Sequence, residues 1–251
     1  MNQILLVTDG GSNVGESPVI AAAQAFADGI VVNVAGVVDE GNIGEHGATE
    51  IAEIARAGGG MSRIVTSRQL SQTVQMMTRQ TVVGTIRQAV NQELRQLFGV
   101  ESVAALPPAK RAEVVQVMED LGETSDLRVA LLIDASASMK PKLAAVAEAI
   151  RDLTLSLQAR AGQSSVAVFH FPGDSDREPC VMDCSWTDQA ARIEALFGRL
   201  RMRGTTPTGP ALARVTEFFR ETCGKIMSEP VQPSAPNRRD DTDGVRSDYV
   251  V

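Results

Sequence analysis

Two aspartates stand where an open α/β sheet does its chemistry. Asp9 follows the apolar run Ile4-Leu5-Leu6-Val7-Thr8, and Asp134 follows Val129-Ala130-Leu131-Leu132-Ile133. Each opens a turn of small residues, Asp9-Gly10-Gly11-Ser12-Asn13 and Asp134-Ala135-Ser136-Ala137-Ser138. Continuous apolar runs of this kind read as parallel strands buried on both faces. Ligands of such sheets bind beyond the carboxyl ends of the strands, where the strand order reverses. If these two strands are neighbours at that point, their turns converge. Asp134, Ser136 and Ser138 then present one carboxylate and two hydroxyls at alternate positions of a tight loop. A hard cation such as Mg²⁺ or Mn²⁺ takes about six oxygens in a near-octahedral array. Neither turn holds a thiol or an imidazole, which speaks against zinc.

Blander readings exist for each residue taken singly. Asp134, Ser136 and Ser138 could cap a helix beginning near Pro141, Thr206 could cap the helix after it, and Asp9 could be an ordinary turn residue. A nucleotide-binding enzyme is a rival, because Gly10-x4-Gly15-Glu16-Ser17 follows a strand and precedes a helix like a phosphate loop. Glutamate stands where that loop needs lysine, setting a negative charge against phosphate. A metal-dependent hydrolase using Asp9 and Asp134 is a second rival, since a bound ion can activate water. It lacks an evident general base: His46 reads as a loop residue, and His170 as a surface or edge residue near a strand end. Gly58-Gly59-Gly60 reads as a helix stop in preference to a phosphate cradle.

Taken together, the turns resemble a known family. Asp134-x-Ser136-x-Ser138-Met139 resembles the metal-ion-dependent adhesion site of von Willebrand factor A domains. Gly204-Thr205-Thr206-Pro207-Thr208-Gly209 resembles that family's second metal loop, with Thr206 on its metal-binding threonine. Val7-Thr8-Asp9-Gly10 resembles the third loop and makes Asp9 the second carboxylate. The resemblance implies Mg²⁺ or Mn²⁺ held by Asp134, Ser136, Ser138 and Thr206, with Asp9 bound directly or through water. It also implies that an Asp or Glu of a protein partner completes the coordination, which is binding and not catalysis.

The motif order departs from the family, because the strand that should come last opens the chain. The sequence therefore resembles a circularly permuted A domain, of the kind encoded in the sporulation gene clusters of spore-forming Firmicutes. On that reading 1–79 is the C-terminal half of the fold, 80–125 a helical linker, and 126–223 the N-terminal half. The family's natural termini lie near each other on the face opposite the metal, so a helical strap can join them. The new break, between a helix ending near Cys223 and the strand at Asn2, is a strand length from the ion. The halves can pair within one chain or between two, giving a monomer or a swapped dimer. Resemblance to the sporulation group further implies a regulatory or assembly role, linked to a neighbouring serine/threonine kinase.

The elements that must hold these turns are legible in outline. Besides the two strands already named, Ile30–Val38, Arg63–Thr66 and Ser165–Phe171 read as strands, with Pro179–Cys184 an antiparallel neighbour of the last. Pro18–Ala27, with proline at its first position, Ala48–Ala57, Pro141–Arg160, Asp188–Leu200 and Pro210–Phe219 read as helices. Alternation of strand and helix predicts right-handed crossovers and an α/β, Rossmann-like, doubly wound sheet of six mostly parallel strands. From Leu70 to Leu121 the pattern is helical throughout. Apolar residues fall at Leu70, Val74, Met77, Val82, Ile86, Val90, Leu94 and Leu97, and after Pro107-Pro108 at Val114, Val117, Met118 and Leu121. Met76, Met77 and Met118 read as core packing, with a partner groove the alternative.

Composition bounds the rest. The chain has 251 residues, 43% of them hydrophobic, with 24 basic against 31 acidic side chains and a net charge of −7. It can build a full core, and its acidic balance argues against nucleic acid or an anionic membrane as the main partner. The apolar stretches fall short of the roughly 18–20 residues that span a bilayer. The N-terminal apolar run has no basic flank, which predicts no secretory leader and a cytoplasmic protein. Cys180, Cys184 and Cys223 read as free thiols, although a C-x3-C pair on one strand could point both sulfurs the same way. The stretch 228–251, rich in proline and charge, reads as a disordered tail.

Overall fold

Strands β1 (Asn2–Thr8) and β4 (Leu127–Asp134) lie side by side at the centre of a six-stranded sheet of order β3-β2-β1-β4-β5-β6. The others are β2 (Ile30–Val38), β3 (Gly59–Thr66), β5 (Ser164–Phe171) and β6 (Val181–Thr187). Five are parallel, and β6 runs antiparallel to β5 at one edge. The fold is therefore α/β and Rossmann-like, with the strand order reversing between β1 and β4. This computed structural model describes residues 1–38, 44–173, 178–194, 196–197 and 204–223.

Alternation along the strands sorts the core into two layers. Ile4, Leu6, Ala130 and Leu132 face α1 (Pro18–Ala27), α2 (Glu45–Ala57) and α7 (Thr208–Cys223). Leu5, Val7, Leu131 and Ile133 face α3 (Leu70–Phe98) and α5 (Leu143–Gln158). Helix α4 (Pro108–Thr124) leans on α3, and the short α6 (Ala190–Glu194) lies beside α5. Two-sided burial is the reason the central strands read as unbroken apolar runs.

Several expectations shift in detail. Helix α2 begins three residues before Ala48, which places His46 in its first turn and not in a loop. The helix expected from Pro141 is preceded by a 3₁₀ turn, Ala137–Lys142, and becomes regular only from Leu143. Of the helix expected over 188–200, Ala190–Glu194 forms, while 195 and 198–200 lie outside the described residues. The tail expected over 228–251 also lies outside them.

Helix α3 runs unbroken through positions 79 and 80 and buries Met77, Val82 and Ile86 against the sheet. Leu97, by contrast, is 69% exposed and Val117 on α4 is 55% exposed, so the apolar periodicity outlasts the core it packs on. Met77 is core as expected. Met76 instead lines a groove of about 1170 Å³ between α3, α4 and α5.

Candidate metal centre

The central strand pair positions the site. Register runs from Asn2 opposite Arg128 to Val7 opposite Ile133, so the next residues, Thr8 and Asp134, emerge together at the carboxyl end. Thr8 Oγ1 donates to Asp134 Oδ2 at 2.6 Å, and the Ser136 N–H donates to Oδ1 at 2.8 Å. Asp134 is fully buried. Burial pushes its carboxyl pKa above the usual value, and the bonds from Thr8 and Ser136 only partly oppose this; the Asp9 charge adds to the rise.

Two hydroxyls bridge from this carboxylate toward the second one. Ser136 Oγ and Ser138 Oγ lie 3.1 Å apart, and Ser138 Oγ donates to Asp9 Oδ1 at 2.9 Å. Ser136 occupies the N-cap of the 3₁₀ turn, yet its side chain makes no capping bond there. The serines face each other and Asp9, so helix capping does not account for them. Lys142 completes the cluster, its Nζ 2.5 Å from Asp9 Oδ2.

Thr206 is tied to the turn that follows Asp9 through main-chain bonds. Its N–H donates to Asn13 Oδ1 at 2.8 Å, and its carbonyl accepts from the Asn13 N–H at 3.2 Å and from Ser12 Oγ at 3.2 Å. Close packing fixes the two loops together. A Cβ on Gly209 would lie 1.9 Å from the Glu16 carbonyl oxygen, and Gly15, at φ +89°, presses on Pro210. The structure thus gathers Asp134, Ser136, Ser138 and Asp9 directly and holds Thr206 on the adjoining loop.

Sequence reasoning missed three contributors: Lys142, Asn13 and Glu50. Glu50, on α2, accepts the Ser12 N–H at 2.6 Å and steadies the Asp9 loop from outside. None of the three belongs to the turns that carry the hydroxyl pattern except Asn13, whose role needs the partner loop to be seen.

Asp134, Asp9, Ser136 and Ser138 form an all-oxygen cluster of two carboxylates and two hydroxyls, a chemistry that suits Mg²⁺ or Mn²⁺. Among the described residues no group of three or more His, Cys, Asp or Glu side chains stands together. The phosphate-loop resemblance weakens on inspection. The Gly10, Ser12 and Asn13 amides already donate to Thr8 Oγ1, Glu50 and Thr206. The glycine run 58–60 ends α2 and begins β3.

His46 is exposed, but His170 is neither the surface nor the edge residue expected: it lies on β5, inside the sheet between β4 and β6, is buried and pairs with Asp183 at 2.7 Å. Nor do the strand cysteines share a face. Cys180 precedes β6 and packs in one core layer, while Cys184 packs against the other. All three cysteines are free.

Against known proteins, the chain is 45% identical over 222 residues to the uncharacterized protein YabS of Bacillus subtilis (strain 168). The match covers 88% of this chain and 90% of that protein. The chain belongs to the YabS family. A crystal structure of an uncharacterized protein from Alicyclobacillus acidocaldarius subsp. acidocaldarius DSM 446 matches with 44% identity and a TM-score of 0.83. It covers 90% of this chain and 96% of that one. No protein-family model matches the chain. Proximal thread matrix protein 1 of the mussel byssus, at 16% identity and a TM-score of 0.25, is too distant to carry an argument. Kinship within the YabS family therefore supports the fold, and the function rests on the site. Among the described residues no helix is long and apolar enough to cross a membrane.

Proposed function

We propose that this chain is a circularly permuted von Willebrand factor A domain that binds a divalent cation and, through it, an acidic residue of a protein partner. Asp134, Ser136, Ser138, Thr206 and Asp9 would hold Mg²⁺ or Mn²⁺, and the ion would supply an electrophilic centre for an incoming Asp or Glu. One observation carries the reading: Ser138 Oγ, from the β4 turn, meets Asp9 Oδ1, from the β1 turn, at 2.9 Å, with Ser136 Oγ alongside. Carboxylates and hydroxyls from two turns of one sheet converge there, with no imidazole or thiol among them.

The permuted order has its own support. The Arg128 N–H donates to the Met1 carbonyl at 2.9 Å, and Arg128 Nη1 donates to Cys223 Sγ at 3.2 Å. The start of β1 and the end of α7 thus meet at one arginine, at the end of β4 remote from Asp134. A break there leaves the site whole, while α3 and α4 connect the halves within one chain. The role we assign is regulatory or assembly binding in the cytoplasm, with a kinase-linked protein as the partner class, and with neither nucleic acid nor membrane.

Hydrolysis is the weaker reading, because His46 is exposed on α2 and His170 is paired with Asp183 on the edge strand. Nucleotide binding is weaker still, given Glu16 in the lysine position and loop amides already engaged.

Thermal unfolding in Mg²⁺ or Mn²⁺ against EDTA, for wild type and Asp134→Ala, tests the proposal. Metal at 100 times its dissociation constant adds about 2.7 kcal/mol. A rise confined to wild type supports the site. Silence in both unfolding and calorimetry at millimolar metal would overturn it and leave a metal-free interaction module.

A further inference from the structure

Lys142 is the one cation in the cluster among the described residues. Its Nζ lies 2.5 Å from Asp9 Oδ2 and 3.4 Å from the Ser138 carbonyl oxygen. Both side chains are largely withdrawn from water, at 11% exposure for Lys142 and 5% for Asp9. Charges in such a place interact more strongly than at an open surface. The Asp9 carboxylate is engaged at both oxygens: Oδ1 accepts from Ser138 and Oδ2 accepts from Lys142. Each oxygen keeps a further lone pair for a metal, but an ion at Oδ2 would sit against the ammonium charge of Lys142.

We infer that Lys142 is a tethered cation that competes with the divalent ion for Asp9 and thereby sets the metal affinity of the site. This rests on the metal reading above. Lys142 is anchored at the junction between the 3₁₀ turn and α5, four residues after Ser138, so its ammonium stays within reach of Asp9. Its four-carbon stem is flexible enough to withdraw when a stronger cation arrives. Charge accounting gives a second consequence. Asp9, Asp134 and Lys142 sum to −1, so a divalent ion leaves the filled cluster at +1. That surplus favours an anionic ligand over a neutral one, at the expense of affinity for the ion itself.

The test is calorimetric titration of MgCl₂ and MnCl₂ alone into wild type, Lys142→Met and Lys142→Arg, each checked for folding by its unfolding transition in EDTA. Removing a neighbouring positive charge should tighten Mg²⁺ binding by roughly tenfold, by analogy with the one- to three-unit pKa effect of an adjacent charge. Lys142→Arg, which keeps the charge, should stay near wild type. Lys142→Gln replaces the methionine variant if that variant does not fold. Equal affinity in wild type and the neutral variant overturns the inference and leaves the metal site standing. Weaker binding in the neutral variant also overturns it and makes Lys142 a support of the site. Binding by none of the proteins brings down the metal reading, and the inference with it.

Discussion

The hydroxyl of Thr8 donates to Oδ2 of Asp134 at 2.6 Å, joining the last residues of the two central strands. Asp134 is fully buried, so this bond is one of few that compensate its charge. A hydrogen bond to a charged buried group is worth about 1.5–3 kcal/mol. Thr8→Val, which keeps the shape and removes the donor, should destabilise the protein by about that amount in urea unfolding with EDTA present. A loss below about 0.5 kcal/mol would show that Asp134 is satisfied by other means.

Burial of Asp134 also makes a prediction about order. Asp134→Asn removes a charge that burial disfavours, so in EDTA at pH 7 this variant should be at least as stable as wild type. Saturating Mg²⁺ should reverse the ranking, by about 2.7 kcal/mol at 100 times the wild-type dissociation constant. The two melting curves in each condition decide it. A ranking unmoved by Mg²⁺ would count against a metal at this carboxylate.

The contact between Gly209 and the Glu16 carbonyl can be broken by one methyl group. The Cβ of Gly209→Ala would lie 1.9 Å from that oxygen, so the first turn of α7 must move off the turn that precedes α1. Overpacking of this kind costs about 1–3 kcal/mol. Gly204→Ala meets nothing within 4 Å and serves as the neutral control in the same unfolding experiment. Metal binding should weaken in the Gly209 variant alone.

Glu50 acts on the site only through the loop it holds. Glu50→Ala frees the Ser12 N–H and should weaken Mg²⁺ binding several-fold, whereas Glu50→Gln retains an acceptor and should lose less. Titration of both variants with MgCl₂ separates this positioning role from a role as ligand. Equal losses in the two would indicate that the charge of Glu50, and not its bond to Ser12, matters.

Cys180 should be chemically silent in the folded protein. Burial pushes its thiol up from 9.0 to about 12, while Cys184 and Cys223 are only half-buried. Alkylation at pH 8 followed by mass mapping should label Cys184 and Cys223 well before Cys180. The linkage has a definite sign. Because the folded value is raised, the stability tied to this thiol is fully present below pH 9 and is lost as pH rises toward 12. Stability should therefore fall with alkalinity above pH 9, and Cys180→Ser should flatten that slope.

Read alone, the sequence determined what local pattern controls. Unbroken apolar runs marked the central strands, because only a strand covered on both faces needs apolar residues at every position. The aspartates and hydroxyls in the following turns were visible because each turn is short and its residues are contiguous. Helix α3 could be read from its spacing as far as Leu94. Only Leu97, the last of its expected apolar positions, misled, since periodicity records an amphipathic face and not whether anything packs on it; Leu97 lies open to solvent.

Only the tertiary structure decided which residues complete the site. Glu50 meets Ser12 across 38 positions, Lys142 meets Asp9 across 133, and Asn13 meets Thr206 across 193. Such pairs leave no periodic trace, because either partner alone is an ordinary polar residue. The reversal of strand order between β1 and β4 brings them together, and it is set by how two helical layers cover one sheet. His170 shows the same limit in the other direction: one imidazole near a strand end gave no sign that Asp183, on a strand folded back beside it, would bury it.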